Sequence, residues 1–250
     1  MALAVLCVGT ARGAAPSYSA AGIVNTPNYT LGPFAPGSVV TIFGTGLARS
    51  AQGGAVSASG ALPIEINSVR VYVSDSPAAL FYVSDSQINF LMPSDRVAGP
   101  VTIRVVVEGS TGPEITVALV DAMPALFIPL DGVYAIATHA DGTLLTADSP
   151  AHAWDTVVIY LTGLGRTAPN PALGEVPSQA AQMVRLSDLK VTLGGVVMDP
   201  AFVKYAGVTP GFAGLYQINL ALPDHLGTDP EIRVAVGDQS SPAGLKLPVR

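Results

Sequence analysis

The stretch Gln87-Ile88-Asn89-Phe90-Leu91-Met92-Pro93 returns as Gln217-Ile218-Asn219-Leu220-Ala221-Leu222-Pro223, 217 − 87 = 130 residues later. A second pair keeps the same order: Val40-Thr41-Ile42-Phe43-Gly44-Thr45-Gly46-Leu47 matches Val157-Val158-Ile159-Tyr160-Leu161-Thr162-Gly163-Leu164, with 157 − 40 = 117. The offsets differ by 130 − 117 = 13 residues, so a domain is repeated and its second copy carries a longer middle loop. A period close to a whole domain length indicates two modules rather than a solenoid.

Around these repeats the chain reads as strands. Val69-Arg70-Val71-Tyr72-Val73, Val101 to Val107, Ile115 to Leu119, Leu189 to Leu193 and Ile232 to Val236 all mix β-branched residues with period-two alternation. Turn chemistry such as Pro36-Gly37, Gly53-Gly54, Gly99-Pro100, Gly194-Gly195 and Pro210-Gly211 separates them at the short intervals of a β-sandwich. Between the copies, Gly132 to Thr138 and Thr143 to Thr146 flank Asp141-Gly142, which predicts a β-hairpin and hence a structured connector. One helix is an open alternative, over Gln179 to Leu189, where Ala180, Ala181, Met183 and Leu186 fall in the longer loop of copy two. The expected division is 1–15 as a signal peptide or its remnant, 16–31 as an N-terminal segment, 32–122 and 151–250 as the two sandwiches, and 123–150 as the connector.

Composition excludes several function classes. Lys and Arg total 12 against 18 Asp and Glu, a net charge of −6 with no basic run, so the chain lacks the electrostatic footprint of a nucleic-acid binder. The 26 Gly and 21 Pro break every apolar stretch of the body well short of a membrane span. Two copies of about 100 residues each can bury an adequate core without a metal or disulfide. The single cysteine, Cys7, lies in the apolar run Met1 to Gly9, followed by Gly13-Ala14-Ala15 before Pro16. This resembles the apolar region and small-residue cleavage site of a secretory signal, with cleavage expected after Ala15, although no basic residue precedes the run. A trimmed domain terminus is the alternative. Export without disulfides suits a bacterial envelope protein.

Several motifs in fixed order carry a family resemblance: Pro36 to Ala48, then His139-Ala140-Asp141-Gly142, then Thr162-Gly163-Leu164-Gly165, and finally Tyr205 to Asn219. From about Asn25 to Arg250 the chain resembles an uncharacterised C-terminal domain family abundant in Solibacter and other Acidobacteria. That family's repeat is in turn similar to the IPT/TIG immunoglobulin-like fold. The resemblance implies an all-β protein of two tandem early-set β-sandwiches joined by a short hairpin, and it carries no catalytic, metal or cofactor residues.

The residues agree with a non-enzymatic reading. The three histidines, His139, His152 and His225, sit in turns or connectors without a partner at metal-ligand spacing. Gly163-Leu164-Gly165 opens no helix, and there is no nucleophile elbow or phosphate-loop lysine. On a strand Gln87 and Asn89 share one face, as do Gln217 and Asn219. They serve either as a ligand-facing strip or, as the shared occurrence favours, as structural amides bonded to backbone near the loops. Asp75, Asp85, Asp131 and Asp141 are singly placed turn residues, fewer than calcium demands. Phe43 and Tyr160 lie in apolar strand contexts and read as core, whereas Trp154, Phe212 and Tyr216 are candidate ligand contacts, Phe212 alternatively plugging the sandwich end.

The expected function is a non-catalytic exported or cell-surface module for protein contact, adhesion or spacing, with an envelope protein or glycan as partner. A carbohydrate-binding module is the alternative, and a secreted hydrolase a more remote one.

Overall fold

The computed structural model describes residues 14–129 and 132–250. Residues 1–13 of the proposed signal, with Cys7, and the turn residue Asp131 lie outside the described residues. The rest is built almost wholly of antiparallel strands with two short 3-10 turns, and they form two immunoglobulin-like β-sandwiches.

In the first sandwich one sheet runs, in spatial order, Ser17–Asn25, Val39–Thr45, Gln87–Leu91, Ala79–Val83 and Gln52–Gly53. The other runs Ile115–Leu119, Gly99–Val107, Val69–Val73 and Ser76–Pro77. Alternation puts one side of each strand inward: Val40, Ile42, Ile88 and Phe90 from the first sheet meet Val69, Val71, Ile103 and Val105 from the second, all fully buried. Burying each such side chain is worth about 1.5–3 kcal/mol. The N-terminal strand Ser17–Asn25 pairs with Val39–Thr45 and places Tyr18 and Ile23 in this core. The first sandwich therefore begins upstream of residue 32.

The second sandwich repeats the plan. Thr156–Thr162, Tyr216–Ala221, Val203–Val208, Ala181–Met183 and Thr167–Ala168 make one sheet, and Val196–Val197, Leu189–Leu193, Ile232–Val236 and Gln239–Ser240 the other. The pairing register is copied: Ile42 stands opposite Ile88 and Ile159 opposite Ile218, while Val40 opposite Phe90 becomes Val157 opposite Leu220. The hairpin on Asp141-Gly142 forms, closed by His139 N–H donating to Thr143 O at 2.8 Å. Its first arm, Ala137–His139, pairs with Thr156–Thr162, so Ala135, Ala137 and Leu145 belong to the second core. The region between the copies is thus largely absorbed into the second sandwich.

No helix forms over 179–189. Ala181–Met183 adds to the sheet through Val203–Val208, and only Leu186–Asp188 makes a single 3-10 turn. Backbone pairing at a sheet edge outweighs the weak helix propensity of a short alanine-containing run.

The two sandwiches are bound to each other by the long loop of copy two. Leu62 N–H donates to Gly174 O and Val176 N–H to Gly60 O, both at 2.8 Å, a small antiparallel ladder between domains. Ser94 Oγ donates to Pro171 O at 2.7 Å and Asn170 Nδ2 to Ser94 O at 3.1 Å. Leu62, Ala79, Leu91 and Ala213 close into a separate buried cluster across this junction. Thr162, fully buried, accepts from Val39 N–H at 3.2 Å and donates to Gly214 O at 2.7 Å, joining both domains through one hydroxyl. No helix among the described residues is long and apolar enough to cross a membrane.

Candidate functional site

The outward side of the first sheet carries the chemistry that the core does not use. Because Ile42 and Ile88 point inward, their neighbours Thr41, Phe43, Gln87 and Asn89 point outward, and Phe43 stands opposite Gln87 while Thr41 stands opposite Asn89. Gln87 Nε2 donates to Asn89 Oδ1 at 2.8 Å, and the same oxygen accepts from Thr41 Oγ1 at 3.0 Å. The Thr41 and Thr26 hydroxyls are 2.9 Å apart, which extends the ladder to the loop following Ser17–Asn25. That loop swings Tyr29 over Phe43, with ring centroids 5.9 Å apart and planes tilted at 45°. Tyr29 is 62% exposed and Phe43 39%. Tyr82, opposite Asn89 on the other side, completes a face of three aromatic rings and two amides.

Two expectations change here. Phe43 and Tyr160 are not core: each lies opposite the glutamine of its repeat, on the outward side. The alternation that buries Ile42 and Ile159 already requires it, so the signal was present and the apolar context obscured it. The Gln-x-Asn amides do not bond to loop backbone as expected. Gln217 Nε2 donates to Asn219 Oδ1 at 2.8 Å, as Gln87 does to Asn89, because residues two apart on a strand lie side by side. Tyr29 was missed because its place depends on how a loop folds over a sheet.

The other candidate contacts do not converge. Tyr216 is only 3% exposed and its hydroxyl donates to Gly165 O at 2.7 Å, so it is a buried structural residue and not a ligand contact. Burial raises its pKa above the ordinary tyrosine value. Trp154 is 69% exposed in the turn before Thr156–Thr162, and Phe212 is 59% exposed in the turn before Tyr216–Ala221. Those strands are antiparallel, with Thr156 opposite Ala221 and Leu161 opposite Tyr216, so the two rings project from opposite ends of one sheet.

Among the described residues, the recorded side-chain contacts of each histidine go to a single neighbouring residue. His152 and His225 are highly exposed beside Asp155 and Asp224. His139 Nε2 lies 3.2 Å from Ser149 O and 3.3 Å from Ser149 Oγ, a contact across the base of the hairpin. Asp141 accepts from the Thr143 hydroxyl and N–H at 2.6 and 2.9 Å, bonds that hold its carboxyl below the usual range and mark it as a turn cap. Asp85 likewise accepts from Gly46 N–H at 3.2 Å. Among the described residues no three His, Cys, Asp or Glu side chains gather closely enough to hold a metal ion.

Residues 27–118 match the model of the IPT/TIG domain. The match coincides with most of the first sandwich and supports the immunoglobulin-like repeat at a level coarser than the acidobacterial likeness. No curated protein matches the sequence. Among solved structures, the chain is similar to the surface glycan-binding protein PbSGBP-B of Prevotella bryantii, at 11% identity over 94% of this chain and 42% of that one, with a TM-score of 0.30. It is also similar to the SGBP-B of Bacteroides ovatus, at 10% identity over 86% and 43%, with a TM-score of 0.33. Domains 5-6 of the S-layer protein SbsC give 12% identity over 94% and 98%, with a TM-score of 0.29. The chain spans less than half the length of the first two. At such scores the likeness carries no information on ligand or partner.

Proposed function

We propose that the chain is a non-catalytic, exported module that holds two IPT/TIG-like sandwiches as one rigid unit for contact or spacing at a cell surface. The observation that carries this reading is the junction. A spacer must resist bending, and here backbone hydrogen bonds, a buried apolar cluster and the Thr162 hydroxyl all cross between domains. Glycines permit the close approach: a Cβ on Gly214 would lie 2.7 Å from Leu91 Cδ1 and 2.8 Å from Val39 Cγ2. A Cβ on Gly174 would lie 2.9 Å from that of Ala79. Export accords with the apolar run ahead of Pro16 and with a body free of cysteine.

Small-angle scattering and residual dipolar couplings of the chain from Pro16 to Arg250 test it. One fixed inter-domain orientation is expected, and Gly214→Val with Gly174→Val should loosen it. Freely varying orientations in the parent chain would end the spacer reading.

A second reading has its own support. The Tyr29–Phe43 ring pair beside the Gln87–Asn89 amides offers stacking surface and hydrogen-bonding ends together, the combination by which a protein holds a neutral sugar. A glycan array followed by titration of Tyr29→Ala and Phe43→Ala checks it. Saturable binding lost in both variants, with melting unchanged, would make the module a glycan binder.

A further inference from the structure

We infer that the cleft at the domain junction is a binding site for an oxyanion, a carboxylate or phosphate borne on a small ligand. The inference goes beyond the spacer reading and does not depend on it. The cleft encloses about 200 Å³ between Pro36, Arg96 and Val97 of the first sandwich, Asp121 of the connecting segment, and Arg166, Val184 and Arg185 of the second. Three of the chain's 12 basic residues thus line one hollow in a protein of net charge −6, and a single carboxylate lines it with them. The compensating carboxylates of Asp95 and Asp188 lie behind Arg96 and Arg185 and do not line the hollow, so the surface offered to a ligand is mostly guanidinium although the cluster as a whole is balanced.

The arginines are fixed from behind. Asp95 receives Arg96 in a two-point grip, Nε to Oδ1 at 3.1 Å and Nη2 to Oδ2 at 3.0 Å, and its backbone oxygen accepts from Arg166 Nη2 at 3.1 Å. Asp188 holds Arg185 through Nε and Nη2, both at 2.8 Å, while Asp121 takes Nη1 at 3.2 Å. Gly237 makes room for this grip, since a Cβ there would stand 2.9 Å from Arg185 Nη2. A guanidinium has five N–H donors, so these bonds leave donors over on each residue.

Arg166 is the decisive group. Among the described residues it has no carboxylate within ion-pairing distance, and its recorded side-chain bond goes to one backbone carbonyl. Asp95 and Asp188 face Arg96 and Arg185 without lining the cleft. Planar guanidinium forks match carboxylate and phosphate oxygens in pairs. Val97 and Val184, both exposed on the rim, give an apolar flank to the body of the ligand.

The test titrates the full chain with glucuronate, inorganic phosphate and glucose at matched ionic strength, following the arginine Nε–H resonances and the heat of binding. Saturable binding of glucuronate or phosphate is expected, with none of glucose, weakening several-fold between low and high salt. The tighter of the two anions identifies the source of the oxyanion. Arg166→Gln should reduce affinity at least about tenfold while melting within a few degrees of the parent. Arg96→Gln should act likewise and carries the test if Arg166→Gln fails to fold. Arg49→Gln, which removes an exposed pair with Glu108 elsewhere, should leave binding intact. Absence of binding by both anions, equal binding of glucose, or affinity unmoved in Arg166→Gln and Arg96→Gln would overturn the inference.

Discussion

The two sandwiches agree on their inward sides and differ on their outward ones. Ile42 and Ile159, Ile88 and Ile218, Leu47 and Leu164 occupy matching buried places, and the strand registers coincide residue for residue. On the outside, Thr41 opposite Asn89 becomes Val158 opposite Asn219, and Phe43 opposite Gln87 becomes Tyr160 opposite Gln217. A one-residue slip would turn every core side chain to solvent, so register is the property a duplicated sandwich cannot lose. The outer face bears no such constraint. Copy one carries the Tyr29–Phe43 pair and the longer polar ladder, whereas copy two extends the loop that clasps its neighbour.

The sharpest way to break this equivalence uses one glycine in each copy. Gly46 and Gly163 occupy the same repeat position and both have positive φ, 66° and 80°. Around Gly46 the nearest atom to an added Cβ is Pro16 Cα at 3.9 Å, but at Gly163 the Cβ would overlap the Met123 carbonyl oxygen. Gly46→Ala should cost only the left-handed backbone penalty, about 1–2 kcal/mol. Gly163→Ala adds a clash with main chain that the Met123 N–H to Gly163 O bond at 2.8 Å holds in place, so a loss of about 3 kcal/mol or more is expected. Urea unfolding of both variants checks it, and equal losses would mean that the connector yields.

The amides come next. Asn89 Oδ1 accepts from both Gln87 and Thr41, while Asn219 Oδ1 accepts from Gln217. Asn89→Ala should cost about 2 kcal/mol and Asn219→Ala about 1 kcal/mol, since the first removes two side-chain bonds and leaves the buried Thr41 hydroxyl with Thr26 alone. Equal costs would show that the ladder in copy one adds nothing.

The duplication, the sandwich class and the strand cores were readable because period-two alternation and repeated motifs are local properties. The failures have two causes, one local and one long-range. The apolar neighbours of Phe43 suggest the core, against its own parity with Ile42. Gln179 to Leu189 has a helix-compatible composition, but Ala181 pairs with the free edge of Val203–Val208, a partner about 27 residues away that propensity cannot foresee. The cleft arginines lie at 96, 166 and 185, and only the packing of one domain on the other brings them together. Tyr29 depends on a loop path in the same way.

Each copy also buries one tyrosine hydroxyl in a backbone bond, Tyr18 to Pro113 O and Tyr216 to Gly165 O. Burial raises both pKa values above the ordinary value of about 10. With the folded-state value raised, the unfolded chain ionises first, so the stability these groups contribute is complete below about pH 10 and is lost as pH rises beyond it. Tyr216→Phe should cost about 1 kcal/mol at neutral pH through the missing bond. Its deficit should then narrow above pH 10, because the variant has one ionisation fewer in the unfolded state. Denaturant unfolding from pH 7 to 11 checks this; a deficit independent of pH would show that Tyr216 ionises in the folded state as readily as in the unfolded one.

The smallest effect expected is the most direct test of whether the outer faces are interchangeable. Thr41 is fully buried, and its hydroxyl joins Asn89 Oδ1 to Thr26, so Thr41→Val leaves two polar groups short of a partner and should cost about 1–2 kcal/mol. Val158→Thr makes the reverse exchange opposite Asn219, on a strand whose register is the same. Thr and Val differ little in volume, so packing is kept. The new hydroxyl would meet an Asn219 oxygen already bonded to Gln217, and on its other side Thr138, whose hydroxyl stands 3.5 Å from that of Tyr160. The change should lie within about 0.5 kcal/mol of zero, because a half-buried hydroxyl gains little over its bonds to water. A gain as large as the loss in Thr41→Val would mean that the ladder of copy one rests on the Thr–Asn pair alone. A near-zero result would place its worth in the whole chain of bonds from Gln87 to Thr26, which copy two lacks.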